Sequence, residues 1–190
     1  MNGSMMKQAT IGLRDYLRDL GREVNADEIA GIIENHALAT AVSAMAAGVI
    51  PGAGGGIAFG IACASTLTMY GRLASAIGVR LNNGLLKAIA SAVVADLAAA
   101  IAATLAVSAA VSFIPGVGSM AAATLTGISN FGFVYLAGII FIKMVTSLGV
   151  SRIESMSEDE LKSQAKRVQS TIDVKSGMKE AKAAFKACSK

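Results

Sequence analysis

Two long runs without a single Asp, Glu, Lys or Arg dominate this chain, residues 37–71 and residues 97–142. Nothing in such a run holds a segment at a water surface, so it must be buried in a core or in a bilayer. Each run is broken once by a Pro-Gly turn, Ile50-Pro51-Gly52-Ala53-Gly54 in the first and Ile114-Pro115-Gly116-Val117-Gly118 in the second. Proline has no N–H to continue a helix and glycine accepts φ > 0, so each turn closes one helix and opens another. The pattern predicts an all-α chain built on two apolar helical hairpins, over residues 37–79 and 85–150.

The hairpins look like a duplication. AMAAGVIPGAG at 44–54 aligns with SAAVSFIPGVG at 108–118, and YGRLASAIGV at 70–79 with FIKMVTSLGV at 141–150, which places Arg72 over Lys143. The offset grows by about two helical turns between the two matches, which lengthens an arm and largely keeps its faces.

Arm length bears on whether the hairpins cross a membrane. At about 1.5 Å per residue, residues 97–114 reach about 27 Å and residues 116–142 about 40 Å, against a hydrocarbon core of about 30 Å. Residues 52–71 reach about 30 Å but residues 37–50 only about 21 Å. The second hairpin is expected to span and the first to insert at least in part. Both turns are uncharged, whereas Arg72, Arg80, Lys87, Lys143 and Arg152 sit at the opposite ends. An even number of crossings with that bias puts both termini in the cytoplasm.

Bulk composition agrees. The chain is 54% hydrophobic and 16% charged, where soluble domains average about 45–50% and about 25%. Residues 1–36 carry four basic and six acidic side chains, residues 37–150 four and one, and residues 151–190 nine and six. The net charge of +4 comes with no Trp and no basic helix face interleaved with aromatics, so nucleic acid is not an expected partner. Cys63, Cys188 and the lone His36 form neither a disulfide framework nor a metal-ligand spacing. No Lys-Ser/Thr follows the glycines at 52–56, so no nucleotide loop is present, and no acid–base or nucleophile–base pair is available. No enzyme, cofactor or metal is expected. The segment 1–35 has no apolar core of the secretory-signal kind, so the hairpins themselves must direct insertion.

The flanks are amphipathic. Residues 5–24 place Met6, Leu17 and Leu20 along one side, and Asn25 is a candidate N-cap for a helix carrying Ile29, Ile32 and Ile33. This N-terminal segment, residues 1–36, is expected to form a collar over the hairpins; a membrane-surface anchor is the alternative. After the hairpin domain of residues 37–150, residues 151–190 open with Ser157 and Glu160 in a capping box, followed by Leu161, Ala165, Val168 and Ile172 on one face. Gly177 is expected to separate a final basic helix over residues 178–188, with Phe185 beside Lys179, Lys182 and Lys186. Anionic lipid or a solvated tail are its two readings.

Small residues recur every four positions next to each turn: Gly52, Gly56, Gly60 and Ala64, then Gly118, Ala122 and Thr126. Such rows let helix backbones approach closely where lipid removes the hydrophobic drive. Four polar residues within or at the ends of the arms, Arg72, Asp96, Asn130 and Lys143, are expected to be paired or functional, with an Arg72–Asp96 ion pair as the preferred arrangement.

The turn at 114–119 and the Gly132-Phe133-Val134-Tyr135-Leu136-Ala137-Gly138 segment that follows it resemble the YcjF-type hydrophobic domain (DUF697), over residues 37–150. That family is often linked to bacterial small GTPases. The resemblance implies membrane association, a bacterial inner-membrane location and a GTPase or other cytosolic partner, and it carries over no catalytic residue. The leading expectation is a membrane-embedded, self-associating anchor or scaffold, homo-oligomeric through its Gly/Ala faces. A pore-forming or membrane-permeabilising effector and a soluble all-helical binding module are the alternatives.

Overall fold

The computed structural model describes residues 4–50, 54–112 and 118–188. Eight helices account for the regular structure among them: α1 Met5–Asp19, α2 Ala26–Gly48, α3 Gly54–Ile77, α4 Asn83–Ser112, α5 Gly118–Leu148, α6 Val150–Ser155, α7 Glu158–Gln169 and α8 Val174–Cys188. Pro51, Gly52, Pro115 and Gly116, the turn residues, lie outside the described residues.

Helix α5 is the axis. It is apolar on all sides, and a helix of that composition has no face to offer water, so it is enclosed. Residues 129–142 are buried without exception, and α5 touches every other helix. Helices α2 and α3 run antiparallel, with His36 Nδ1 3.4 Å from Ser65 Oγ. Helix α3 runs parallel to α5: Phe59 meets Phe133 edge-on at 5.7 Å, and further along both helices Tyr70 stacks on Phe141 at 4.7 Å. The Tyr70 hydroxyl also donates to the Ala137 carbonyl at 3.0 Å, so a buried phenol is satisfied by a helix carbonyl.

Close approach between α2 and α5 depends on glycine. A Cβ on Gly48 would lie 3.0 Å from Ala123 Cα and 3.2 Å from the Thr126 side chain. No larger residue fits between the two backbones there without moving one of them.

The polar helices gather at one end, here called the base. Glu180 of α8 accepts from the backbone N–H groups of Met5 at 2.7 Å and Met6 at 3.1 Å, and from the Tyr135 hydroxyl at 2.8 Å. One carboxylate thereby caps the positive end of α1 and ties it to α5 and α8. Tyr16 accepts from the Val150 N–H at 2.9 Å, where Gly149 turns the chain from α5 into α6 with φ +84°. Asn25 caps α2, and Ser157 with Glu160 forms the complete capping box of α7.

Three sequence expectations change. The boundary at 36/37 falls inside α2, which runs unbroken from the amphipathic collar into the first apolar arm, because nothing between Ala26 and Gly48 breaks a helix. Helix α1 does not run through to Val24: it ends at Asp19, and Gly21 at φ +71° closes it, the earlier of the two ends the sequence allows. Gly177 does not separate two helices. It lies within α8, where its missing side chain makes room for Leu136 Cδ2 of α5.

Candidate membrane-facing tip

Among the described residues three helices are long and apolar enough to cross a membrane, α2, α3 from Gly56 onward and α5 from Met120 onward. What they present to the outside depends on where the polar helices stop. Helix α8 crosses α5 at residues 131–136: Phe185 packs edge-on against Phe131 at 5.4 Å, a Cβ on Gly132 would lie 3.6 Å from that of Ala181, and Leu136 fills the Gly177 notch. Beyond that level project the far ends of α2, α3, α4 and α5, the tip.

The tip contains no charged residue. Its exposed positions include Val42 at 60% and Met120 at 75% relative exposure, with Val49, Ile50 and Ile57 also exposed. Thr124 and Asn130 turn inward chemically, donating to the carbonyls of Met120 at 3.0 Å and Thr126 at 2.8 Å on their own helix. Asn130 is thus buried but paired. Back-bonding of this kind hides polar atoms from an apolar medium. In contrast Arg72, Arg80, Lys87 and Arg152 are exposed on the base side. The division is sharp: an uncharged apolar skin over the tip and charges at the base, which is what an apolar solvent at one end selects.

The tip is shallow. The thirteen residues 118–130 of α5 lie beyond α8, and at 1.5 Å per residue they advance about 20 Å, short of the hydrocarbon core of about 30 Å.

The small-residue rows divide between two roles. Thr126 is buried against Gly48, Ala122 is buried beside it in α5, and Gly118 opens that helix. Gly56, Gly60 and Ala64 do not join helices within the chain. They are exposed, and a Cβ on either glycine would meet nothing within 4 Å. The inward face of α3 is taken by Ala58, Ala62, Met69, Tyr70 and Leu73, so positions 56, 60 and 64 turn outward. The internal close approaches fall instead at Gly48, Gly127, Gly132, Gly138 and Gly177, each opposite a backbone or a long side chain of a neighbouring helix.

The expected Arg72–Asp96 ion pair is absent among the described residues. The ion pairs there join Asp15 to Arg14 and Arg18, and Asp159 to Lys162. With Tyr70 and Leu73 facing α5, Arg72 is carried to the exposed side of α3, while Asp96 is half-buried on α4. Lys143 is half-buried near the end of α5 and lines a cavity at the base. Among the described residues no group of His, Cys, Asp or Glu has the arrangement to hold a metal ion. No family model, curated protein or solved structure matches this chain.

Proposed function

We propose that this protein is a membrane-embedded helical scaffold that inserts its apolar tip, self-associates through the Gly56-Gly60-Ala64 face and offers its polar base to a cytosolic partner. The observation that carries the reading is the uncharged, exposed, apolar tip set opposite a base that holds the exposed charges among the described residues. In this reading α2–α3 and α4–α5 act as two hairpins whose turns lie at the buried end, and both termini stay in the cytoplasm. An outward row of small residues four apart suits contact between copies within lipid, because it allows close backbone approach where van der Waals packing is the main drive. The resemblance of residues 37–150 to the YcjF-type domain supplies the nature of the partner, a GTPase or another cytosolic protein at a bacterial inner membrane.

Carbonate extraction of membranes from expressing cells tests the insertion. Retention in the pellet is expected, with Val42→Glu and Ile57→Lys together shifting the protein to the supernatant. Release of the unaltered protein into the supernatant would overturn the reading and leave residues 37–150 as the core of a soluble bundle.

A second reading draws on a specific feature. The most apolar helix, α5, is wrapped by polar helices at the base, as in a chain that folds in water and inserts afterwards. A membrane-permeabilising effector has that layout. Vesicles loaded with a self-quenched dye separate the two: a scaffold leaves them sealed, whereas an effector releases the dye.

A further inference from the structure

The base contains a cavity of about 570 Å³ between α1, the end of α5, α6 and α7. Its charged lining is Lys143, Arg152 and Arg167, with no carboxylate among the lining residues. The volume falls within the roughly 300–1,000 Å³ of small-molecule sites. From this charge, shape and size we infer that the cavity binds a phosphate ester of a polyol, carried either by a lipid headgroup or by a free metabolite. The inference does not depend on the membrane reading.

Among the described residues the three cations have no direct ion-pair partner, and the nearby acids are engaged elsewhere. Asp15 of α1 is held by Arg14 at 3.1 Å and Arg18 at 3.8 Å. Glu154 of α6 accepts from the Arg80 N–H at 2.6 Å, and Asp159 of α7 is paired with Lys162 at 3.3 Å. Glu160 accepts from the Ser157 N–H and hydroxyl, and it is the acid whose field also reaches Arg152. Among the described residues Lys143, Arg152 and Arg167 neither form an ion pair nor donate a side-chain hydrogen bond.

Helix ends oppose this only in part. The C-termini of α5 and α7 both approach the cavity, and each contributes about half a negative charge. Two half charges, with the field of Glu160 on Arg152 beside them, still leave a positive excess against three full cations, which favours an anionic ligand.

The hydroxyls narrow the class. Thr146, Ser147 and Thr171 line the cavity and already donate to the carbonyls of Ile142 at 3.0 Å, Met144 at 3.2 Å and Val168 at 2.6 Å. Their remaining capacity is as acceptors. Acceptors beside cations suit a ligand with both phosphate oxygens and hydroxyl donors, such as a glycerophosphate or sugar phosphate.

Gly12 supplies the decisive variant. It lines the cavity from α1, and a Cβ there would meet nothing within 4 Å. Gly12→Leu therefore projects an apolar side chain into the cavity without altering any charge, and it replaces a poor helix former with a good one.

The test titrates the full chain in a neutral detergent with sn-glycerol 3-phosphate and with inorganic phosphate. It also measures binding to vesicles of phosphatidylcholine alone and mixed with phosphatidylglycerol. The expected result is saturable binding of the glycerophosphate group, weakened about tenfold or more in Gly12→Leu and in Arg152→Gln/Arg167→Gln, with thermal unfolding of both variants unchanged. Saturation by free glycerol phosphate identifies a soluble ester. Preference for phosphatidylglycerol vesicles that free glycerol phosphate does not reverse, and that Gly12→Leu removes, identifies a lipid headgroup. Absence of saturable binding to every probe overturns the proposal. So does binding that Gly12→Leu leaves intact, since that reports only a charged surface.

Discussion

Holding α8 against α5 is the perturbation that most directly tests how deeply this fold enters a bilayer. A Cβ on Gly132 would lie 3.6 Å from the Cβ of Ala181, inside the separation of about 3.5–4.5 Å that a disulfide bridges. The pair Gly132→Cys and Ala181→Cys, with Cys63→Ser and Cys188→Ser, staples the two helices. The new Cβ would meet Met178 Cε and Sδ at 2.6 Å, the far end of a flexible thioether that can swing aside. From the level of the staple, the α5 residues 118–130 advance about 20 Å toward the tip. A core of about 30 Å is then crossed about two-thirds of the way.

The chain has no tryptophan, so Met120→Trp introduces a single fluorophore at a site that is 75% exposed and near the start of α5. In the oxidised protein bound to vesicles, the indole is expected past the bilayer midplane but still within hydrocarbon. Lipids brominated deep in the acyl chain should quench it, and acrylamide trapped in the vesicle lumen should not. Efficient quenching from the lumen with the staple closed would refute the depth argument, because the tip would then reach the far surface with α8 still in place. The same measurement after reduction reads the position of the tip once α8 is free to leave α5.

Other consequences follow from single side chains. Gly60→Ile projects into open space, so it should leave the melting temperature unchanged and weaken cross-linking between copies in detergent; an unaltered oligomer would remove this face from the assembly. Gly48→Val drives side-chain atoms against Ala123 and Thr126, an overpacking that should cost about 1–3 kcal/mol and lower the melting temperature by about 2–4 °C per kcal/mol. Glu180→Gln removes the charged acceptor shared by the N–H groups of Met5 and Met6 and the Tyr135 hydroxyl, and should cost about 1–3 kcal/mol in a denaturant melt. The hydrogen bonds from the Ser157 N–H and hydroxyl hold the Glu160 carboxyl below its ordinary value of 4.5. A depressed folded pKa means that its contribution is present above pH 4.5 and fades as acid protonates the folded carboxylate. Amide protection factors in α7, corrected for intrinsic exchange, should therefore fall at low pH, and Ser157→Ala should flatten that dependence.

Helix type and several helix ends were legible in the sequence because they rest on local chemistry. Asn25 before Asp27 and Glu28 marks the start of α2, and Ser157 with Glu160 marks the start of α7. Facing was much harder to read. Helices α3 and α4 and the tip half of α5 are dominated by Ala, Gly, Val and hydroxyl residues on every side, so apolar periodicity does not pick out an inward stripe. The regular row at 56, 60 and 64 marks a face for close helix approach without saying whether its partner is in the same chain, and it faces outward. The glycines that do hold helices together are irregularly placed, since each is set by the long side chain or backbone opposite it, Met45 against Gly127, Ile33 against Gly138 and Met178 against Gly132. The basic cavity left no local signal either. Its three cations come from α5, α6 and α7, and only the tertiary fold brings them to one wall.

The two ends of the molecule are held by different forces, and this bears on how a bilayer would act on it. At the base, polar bonds join distant segments: Glu180 to the start of α1 and to Tyr135, Tyr16 to Val150, Arg22 to the Gly78 carbonyl, and Glu154 to the Arg80 N–H. These do not depend on lipid. At the tip, the small satellite core is Ala44, Ala47 and Ala58 with Ile61 beside them, detached from the main core. Side chains of that size bury little area, and what they gain comes from leaving water. In hydrocarbon that gain vanishes, since lipid tails are as apolar as the neighbouring helix. The base should therefore keep its topology on insertion, and in the tip the close approach of α2 to α5 at Gly48 and Gly127 should persist while the Ala-based contacts of α2 with α3 weaken. In the proposed scaffold the exposed Gly56-Gly60-Ala64 face would then offer a second copy the close backbone approach that favours helix association where lipid removes the hydrophobic drive.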